Sequence, residues 1–155
     1  WDNAPPSNAY FEALERISQN RIIWGANYFV NHLKPSMGWV FWDKQIGGDF
    51  SDGELAYTSF DVALKSITIW NGNNGIPRIH PTQKPVALYK WLLKNYAKIG
   101  DTILDTHGGS FSSAIACHQM GFDFVGIEKD AEYFQKAVKR FKQYESQGRL
   151  FEVSK

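Results

Sequence analysis

The fold of this chain is decided by residues 103–128, which read ILDTHGGSFSSAIACHQMGFDFVGIE. Two short apolar runs, one leading into Asp105 and the other ending at Glu128, enclose a glycine turn and a segment with helical spacing. Gly121 is placed to end that helix, because glycine adopts the left-handed conformation of a helix C-terminus without strain. The pattern predicts two parallel strands joined by a glycine loop and a helix.

The glycine turn and the second acid indicate a ligand that contains adenosine. A glycine turn lets a ligand approach backbone N–H groups at the start of a helix. An acid that ends the next strand, about twenty residues on, is placed to accept hydrogen bonds from ribose hydroxyls. Glu128 meets that requirement, and Asp105 suits a cationic methionine group better than a pyrophosphate. The G-x-G-x-x-G spacing is absent, which disfavours a dinucleotide. On these residues alone, two acids that merely cap loops remain an alternative.

Further elements extend the α/β pattern on both sides of this stretch. Upstream we expect helices at Asn8–Ser18 and Pro85–Tyr96, strands at Arg21–Trp24, Trp39–Trp42 and within Ala63–Trp70, a polar loop at Gln45–Gly53 and a turn at Asn71–Gly75. Downstream we expect a helix capped by Asp130 that buries Phe134, Val138 and Phe141, then a strand at Leu150–Val153. The predicted architecture is one α/β domain, residues 1–155, with a doubly wound, mostly parallel sheet.

Composition indicates a globular protein of the reducing cytoplasm. The 155 residues are 43% hydrophobic and 21% charged, with a formal net charge of +1 that gives no electrostatic argument for a nucleic-acid partner. Cys117 is the only cysteine, which excludes an internal disulfide framework and a cysteine-rich zinc site. We expect no membrane-spanning segment and no secretory signal. An aromatic content of 15% favours a well-filled core over base stacking.

Residues 80–85 read HPTQKP, which resembles the signature of the DNA amino-methyltransferases of the permuted beta class. In that class the signature precedes an Asp-Pro-Phe-x-Gly-Ser-Gly type cofactor loop, as residues 80–85 precede Asp105 here. The resemblance covers residues 80–141, and residues 22–29, IIWGANYF, resemble phage and prophage members. It implies a fold of the S-adenosylmethionine-dependent methyltransferase type and DNA methylation, as in restriction–modification systems, without a metal ion.

The resemblance also implies a cofactor site for S-adenosyl-L-methionine. Its expected residues are His80, Thr82, Lys84, Asp105, Gly109, Ser110 and Glu128. Thr82 and Lys84 match positions near the methionine carboxylate, for which a hydroxyl and an ammonium are suitable partners. The loop departs from the family pattern at Thr106, His107, Gly108 and Phe111. Contacts that relatives make through those four side chains are therefore not carried over.

The family's catalytic loop, (Asp/Asn/Ser)-Pro-Pro-(Tyr/Phe), holds the amino group of a flipped base. Residues 2–7, DNAPPS, have the two prolines but lack the following aromatic and a preceding apolar strand. A sheet without the strand that bears this loop would also leave unpaired internal edges. We therefore expect the motif upstream of Trp1, in a longer chain, and assign no catalytic residue.

The first half, residues 1–79, is the expected DNA side, with a small recognition loop near residues 45–58, and residues 80–155 form the cofactor half. Candidate DNA contacts are Lys34, Lys44, Lys65 and Arg78, interleaved with Trp39, Trp42, Tyr57 and Trp70. A second basic group is better explained as a solvated helix face. It comprises Lys136, Lys139, Arg140 and Lys142.

The leading hypothesis is a DNA methyltransferase whose partner is double-stranded DNA with one base flipped out. Adenine is favoured over cytosine by family frequency only, and a homodimer is left open. The alternatives are a methyltransferase for RNA or a small molecule, a catalytically silent DNA-binding module of this fold, and, more weakly, a nicotinamide-dependent enzyme. The HPTQKP signature argues against the first of these.

Overall fold

The computed structural model describes residues 5–46, 51–72 and 78–152. The chain divides into two compact units, Trp1–Asn71 and Gly72–Lys155, and each is described by itself. Both units contain helices and strands, as predicted for an α/β chain.

The first unit is a helix followed by a four-stranded mixed sheet. The helix is α1 (Asn8–Ile17), and the strands are β1 (Ile22–Trp24), β2 (Trp39–Asp43), β3 (Gly53–Thr58) and β4 (Lys65–Thr68). The strand order is β1-β3-β2-β4, with β3 antiparallel to both neighbours and β4 parallel to β2. Two short 3-10 turns, Ala26–Tyr28 and Val30–His32, lie between β1 and β2.

Strand β2 buries alternate side chains because successive residues of a strand point to opposite faces. Val40 and Trp42 are fully buried, whereas Phe41 between them is 38% exposed. The indole N–H of Trp42 donates to the carbonyl of Ile69, 2.8 Å away, just past the end of β4. Trp42 therefore combines the filling of this core with a hydrogen bond that a smaller aromatic residue cannot make.

The second unit has the strand–helix–strand unit that the sequence predicts. Its elements are α2 (Val86–Tyr96), β5 (Thr102–Asp105), α3 (Ser112–Met120), β6 (Asp123–Gly126) and α4 (Ala131–Glu152). Strands β5 and β6 are parallel, with Asp105 opposite Gly126. Gly121 ends α3 in the left-handed conformation, φ +74°, as expected. Asp130 caps α4, because its Oδ1 accepts from the backbone N–H groups of Glu132 and Tyr133.

Buried apolar side chains hold α2, α3 and α4 in this unit. Leu88 and Ile115 are almost fully buried, and Ala137 of α4 packs near Phe111 and Ala114. Burial, with a smaller contribution from Asp105, raises the pKa of the Cys117 thiol to about 12. The thiol is therefore neutral at pH 7 and packs as a small apolar group.

Three local predictions differ from the structure. Residues Gly53–Thr58 form β3, which pairs with β1 and with β2. The loop expected near residues 45–58 therefore ends before Gly53. The DNA-recognition role proposed for that loop stays a prediction. The strand predicted at Leu150–Val153 is wrong, because α4 continues to Glu152. Val153 lies outside the described residues. Phe134, which was expected to be buried, is 42% exposed, whereas Ala137 of the same helix is fully buried. Residues 73–75 of the predicted turn also lie outside the described part.

Within the described ranges, no helix has both the length and the apolar character needed to cross a bilayer. Across these same ranges, His, Cys, Asp and Glu side chains form no cluster of three or more that could bind a metal ion.

We predict that Trp42→Phe lowers the free energy of unfolding by about 2 kcal/mol, because it leaves a small cavity and removes the donor to Ile69. Urea unfolding followed by circular dichroism measures the change. The matched control is Trp70→Phe, at a side chain that is 45% exposed, for which we expect a change within about 0.5 kcal/mol. Equal losses in the two variants would contradict the assignment of Trp42 to the core.

Candidate functional site

Asp105 lies at the carboxyl end of β5, where ligands bind in open α/β sheets. Both oxygens of its carboxylate are oriented by neighbouring groups. Oδ1 accepts from the backbone N–H of His107 at 3.0 Å, and Oδ2 accepts from the hydroxyl of Ser113 at 2.6 Å. The half-buried carboxylate is thus held in one orientation at the edge of the sheet.

The glycine turn after Asp105 is closed by its own amides. The N–H of Gly108 donates to the carbonyl of Ile127 at 2.8 Å, and the N–H of Phe111 donates to the carbonyl of Gly108 at 2.8 Å. The N–H of Gly109 donates to Oε2 of Glu128 at 2.8 Å. The sequence predicted amides that face a ligand, but these three are bonded within the protein. These internal hydrogen bonds hold the loop in one conformation before a ligand binds.

Glu128 connects the glycine loop after β5 with the residues that precede α4. Its Oε2 accepts from Gly109, and its Oε1 accepts from the N–H of Asp130 at 2.9 Å. One carboxylate therefore joins the loop after β5 to the start of α4. Each oxygen has a further lone pair with which it can accept a hydrogen bond from a ligand hydroxyl.

Phe111 replaces the last glycine of the family's loop pattern and still adopts the left-handed conformation, φ +54° and ψ +33°. That conformation costs a residue with a side chain about 1–2 kcal/mol. The ring is 7% exposed and meets Phe134 edge-on at 5.8 Å, so its burial offsets the cost. Gly108 makes the room, because a Cβ there would lie 2.2 Å from Cε1 of Phe111.

The HPTQKP segment forms a turn that precedes α2. His80 is 8% exposed, and its Nδ1 lies 3.3 Å from the backbone nitrogen of Thr82 and 3.1 Å from the Thr82 hydroxyl. Its ring meets Tyr133 of α4 edge-on at 4.4 Å. Burial lowers the pKa of His80, and Lys84 lowers it further, while Glu128 and Asp130 act in the opposite direction. Thr82 is exposed and Lys84 is half-buried.

His80 also lies against the glycine loop. A Cβ at Gly109 would be 3.3 Å from Nδ1 of His80, so the absence of a side chain at Gly109, φ +53°, permits the close approach. The signature turn, the glycine loop and Glu128 are therefore in contact, as expected if the residues that the resemblance assigns to one cofactor site lie together. Their contacts with a cofactor stay predictions.

Arg140 is a residue of this site that the sequence pattern assigned to a solvated face. It is half-buried, and its Nη1 donates to the carbonyl of Ser110 at 2.7 Å and to the hydroxyl of Ser112 at 3.0 Å. Burial lowers its pKa. The signal for this role was its spacing, because Arg140 lies one turn after the buried Ala137 on the same face of α4.

Ser110 is buried, and its hydroxyl lies 3.1 Å from that of Ser112.

In the first unit, three candidate DNA contacts are also buried. Trp42 is fully buried, Tyr57 is 5% exposed and Lys44 forms an ion pair with Glu54 at 3.3 Å. These burials disfavour direct roles in DNA binding. Trp70, at 45% exposure, is the more accessible aromatic of that candidate set.

Comparison with known proteins identifies the family. A family described as DNA methylase matches residues 7–139. The DNA adenine methyltransferase YhdJ of Escherichia coli (strain K12) is 39% identical over 61 residues, which are 39% of this chain and 21% of YhdJ. The type II methyltransferase M2.DpnII of Streptococcus pneumoniae is 35% identical over 101 residues, 64% of this chain and 35% of that protein. The chain thus spans between a fifth and about a third of these two relatives.

Solved structures show the fold. The complex of M1.HpyAVI with SAM has a TM-score of 0.68 at 21% identity, and the match covers 88% of this chain and 84% of that one. TTHA0409 of Thermus thermophilus, complexed with S-adenosyl-L-methionine, has a TM-score of 0.58 at 15% identity, covering 90% and 83%. The predicted methyltransferase-type α/β fold is therefore confirmed.

We predict that Arg140→Met lowers the free energy of unfolding by about 2 kcal/mol, because the Ser110 carbonyl and the Ser112 hydroxyl lose a charged donor. Thermal and urea unfolding measure the loss. Lys139→Met removes a charge from the exposed neighbouring position of the same helix and should change stability by no more than about 0.5 kcal/mol. If Lys139→Met were as destabilising as Arg140→Met, the contacts of Arg140 with the loop would not be responsible.

Proposed function

The chain belongs to the DNA methylase family, and from that premise we propose that the protein transfers a methyl group from S-adenosylmethionine to an exocyclic amino group of a base in DNA. The observation that carries the proposal is the hydrogen bond between Gly109 N–H and Glu128. It places a preorganised carboxylate beside a glycine loop at the carboxyl edge of two parallel strands, as an adenosine ligand requires.

The cofactor contacts that we propose follow the geometry of this unit. Glu128 accepts hydrogen bonds from the ribose hydroxyls, for which each of its oxygens retains a lone pair. Asp105 lies near the cationic methionine group, held by Ser113 and His107. Gly109 and Ser110 supply the loop backbone, and Lys84 pairs with the methionine carboxylate.

The reaction needs positioning more than a strong base. The lone pair of the amino nitrogen attacks the methyl carbon, the carbon–sulfur bond breaks, and its electron pair neutralises the sulfonium to give S-adenosylhomocysteine. The nitrogen then releases a proton. Because that lone pair is conjugated with the base, the enzyme has to hold the NH₂ group in line with the methyl. The family does this with a Pro-Pro-aromatic loop, a sequence that these 155 residues do not contain.

Adenine is the base that we propose, because YhdJ, a relative by sequence, is a DNA adenine methyltransferase. Extrusion of the target base from the duplex is part of the proposal, because an amino group within the helix cannot reach a buried cofactor.

A second candidate function is a silent DNA-binding module of the same fold. Absence of a Pro-Pro-aromatic motif from the full-length protein would favour that candidate. A homodimer and a cytoplasmic location stay predictions.

We predict that Glu128→Gln weakens the binding of S-adenosylmethionine about tenfold, because an amide cannot accept at both positions and loses the charge that favours ribose hydroxyl donors. Isothermal calorimetry with the full-length protein measures the dissociation constant. Glu132→Gln is the matched control, since the Glu132 side chain is 83% exposed on the first turn of α4, and its affinity should equal that of the wild type. Unchanged affinity in Glu128→Gln would remove the ribose contact from the proposal.

We also predict that the full-length protein transfers a labelled methyl group to unmethylated double-stranded DNA. Digestion of the product to nucleosides should yield labelled N6-methyldeoxyadenosine, whereas N4-methyldeoxycytidine would move the assignment to cytosine. Binding of cofactor and DNA without transfer would favour the silent module. Transfer to RNA alone would overturn the DNA assignment.

A further inference from the structure

The carboxyl ends of three strands lie at one edge of the sheet in the first unit. Strands β1 and β2 are both antiparallel to β3, and β4 is parallel to β2, so β1, β2 and β4 run in the same direction. In open α/β sheets, ligands bind beyond the carboxyl ends of the strands. The residues that follow β2 and β4 are therefore positions of this unit where contacts with a ligand are expected.

Gln45, two residues after the end of β2, has a strained backbone. Its φ of +49° lies in the left-handed region, which residues with a side chain rarely adopt. Phe111 has a similar φ, but the burial of its ring offsets the strain. Gln45 is exposed, so its side chain gains no such burial. Strain that packing does not offset favours a role in binding.

The conformation of Gln45 is held by Asp43. Oδ1 of Asp43 accepts from the N–H of Gln45 at 2.9 Å, and Oδ2 lies 3.4 Å from the hydroxyl of Thr68 in β4. A hydrogen bond to an ionised acceptor is stronger than one to a neutral acceptor, so it can sustain a strained backbone. Asp43 therefore fixes how the chain leaves β2 relative to β4.

Trp70 lies beside this position on the neighbouring strand. The N–H of Ile69 donates to the carbonyl of Asp43 at 3.1 Å. The N–H of Asn71 donates to the carbonyl of Lys44 at 3.0 Å. These bonds continue the pairing of β2 with β4 past the strand ends, which places the backbone of Trp70 about 5 Å from the chain that leaves β2. The indole is 45% exposed, so an accessible ring and an accessible amide lie side by side.

The charges around Gln45 favour contact with a base over contact with a phosphate. Lys44 is 9% exposed and pairs with Glu54 at 3.3 Å, so its charge is matched within the protein. Asp43 and the exposed Asp52 add negative charge near this edge. A phosphate only accepts hydrogen bonds, and carboxylates repel it. An amide, which both donates and accepts, suits the edge of a base.

We infer that Gln45 is a specificity-determining residue that reads an adenine in the DNA sequence around the methylated base, with Trp70 packed beside the contact. The inference rests on the proposed function and deepens it, because it names the feature of the DNA that selects the site. In the major groove adenine presents an acceptor, N7, next to a donor, the N6 amino group. Guanine presents two acceptors, cytosine a donor and thymine an acceptor. Adenine alone therefore matches both groups of the carboxamide.

The test is a selection of binding sites from random DNA duplexes, followed by sequencing, with the full-length protein and S-adenosylhomocysteine present. The wild type should enrich a site in which a position besides the methylated base is restricted to adenine. Gln45→Glu should move the preference at that position to cytosine, because a carboxylate only accepts and the N4 amino group of cytosine donates. Gln135→Glu, the same change at an exposed position of α4, is the matched control and should leave the whole site unchanged.

Gln45→Gly separates recognition from folding. Glycine adopts a positive φ without strain, so the melting temperature should not fall below that of the wild type. The selected position should accept any base, and affinity for the wild-type site should fall about tenfold. Affinity for a duplex that is substituted at that position should not change. A merely structural role of Gln45 would instead lower the melting temperature and weaken the binding of both duplexes equally.

Trp70→Ala tests the neighbouring ring. It should weaken the binding of the wild-type site without changing the preferred base, because the ring packs beside the contact and the amide reads the base. A change of the preferred base in Trp70→Ala, with no change in Gln45→Glu, would assign the reading to Trp70 and overturn the role of Gln45.

Failure of the inference can be told apart from failure of the proposed function. A site that is unchanged in Gln45→Glu would remove Gln45 from DNA recognition, as would a wild-type site without a further restricted adenine. The proposed function survives both results if the wild type still methylates DNA. A wild-type protein that binds neither S-adenosylhomocysteine nor DNA would contradict the proposed function itself.

Discussion

The carboxylate of Glu128 ties together the glycine loop and the start of α4 in the second unit. One oxygen accepts from Gly109 in the loop after β5 and the other from Asp130 at the start of α4. Both partners are backbone amides, so neither bond depends on the rotamer of a second side chain. Hydrogen bonds to an ionised acceptor are stronger than neutral ones, and both contacts share this advantage. The acid that the sequence marks as a ligand contact is thus also the link that shapes the loop.

Further contacts reinforce the same loop from different directions. Arg140 of α4 bonds the carbonyl of Ser110, Ser113 of α3 bonds Asp105, and the ring of His80 lies against Gly109. Each of these comes from a different part of the unit. A binding site held in this way loses little conformational entropy when a ligand arrives, which is how preorganisation contributes to affinity. The proposed cofactor site is therefore set largely by neighbours that need not touch the cofactor.

The sequence predicted the elements whose signals are local. Gly121 and Asp130 identify helix ends through backbone conformation and capping, which depend on few neighbours. The pairing of β3 is different, because the segment from Gly53 follows a polar, glycine-rich stretch and becomes a strand only by pairing with β1 and β2. The strand expected at Leu150–Val153 failed because a long preceding helix propagates more easily than a new element starts.

In the candidate site, too, local sequence patterns predicted some residues, whereas the roles of others depend on tertiary packing. Glu128 was predicted from its spacing and Gly109 from the family's loop pattern, because a strand end and a turn leave regular patterns in the sequence. Their cofactor contacts stay predictions. The role of Arg140 was not found, because the basic cluster of α4 was interpreted as one solvated face. Its position one turn after the buried Ala137 is what separates it from the exposed Lys139.

The packing of Phe111 over Gly108 has a consequence for how such a loop can change during evolution. A side chain at position 108 and an aromatic ring at position 111 would occupy the same space, since the added Cβ would lie 2.2 Å from the ring. The two sites are therefore coupled: a side chain at 108 and the ring at 111 can be present together only if one of them moves. A substitution that is neutral with glycine at 111 is expected to be costly once the ring is buried there.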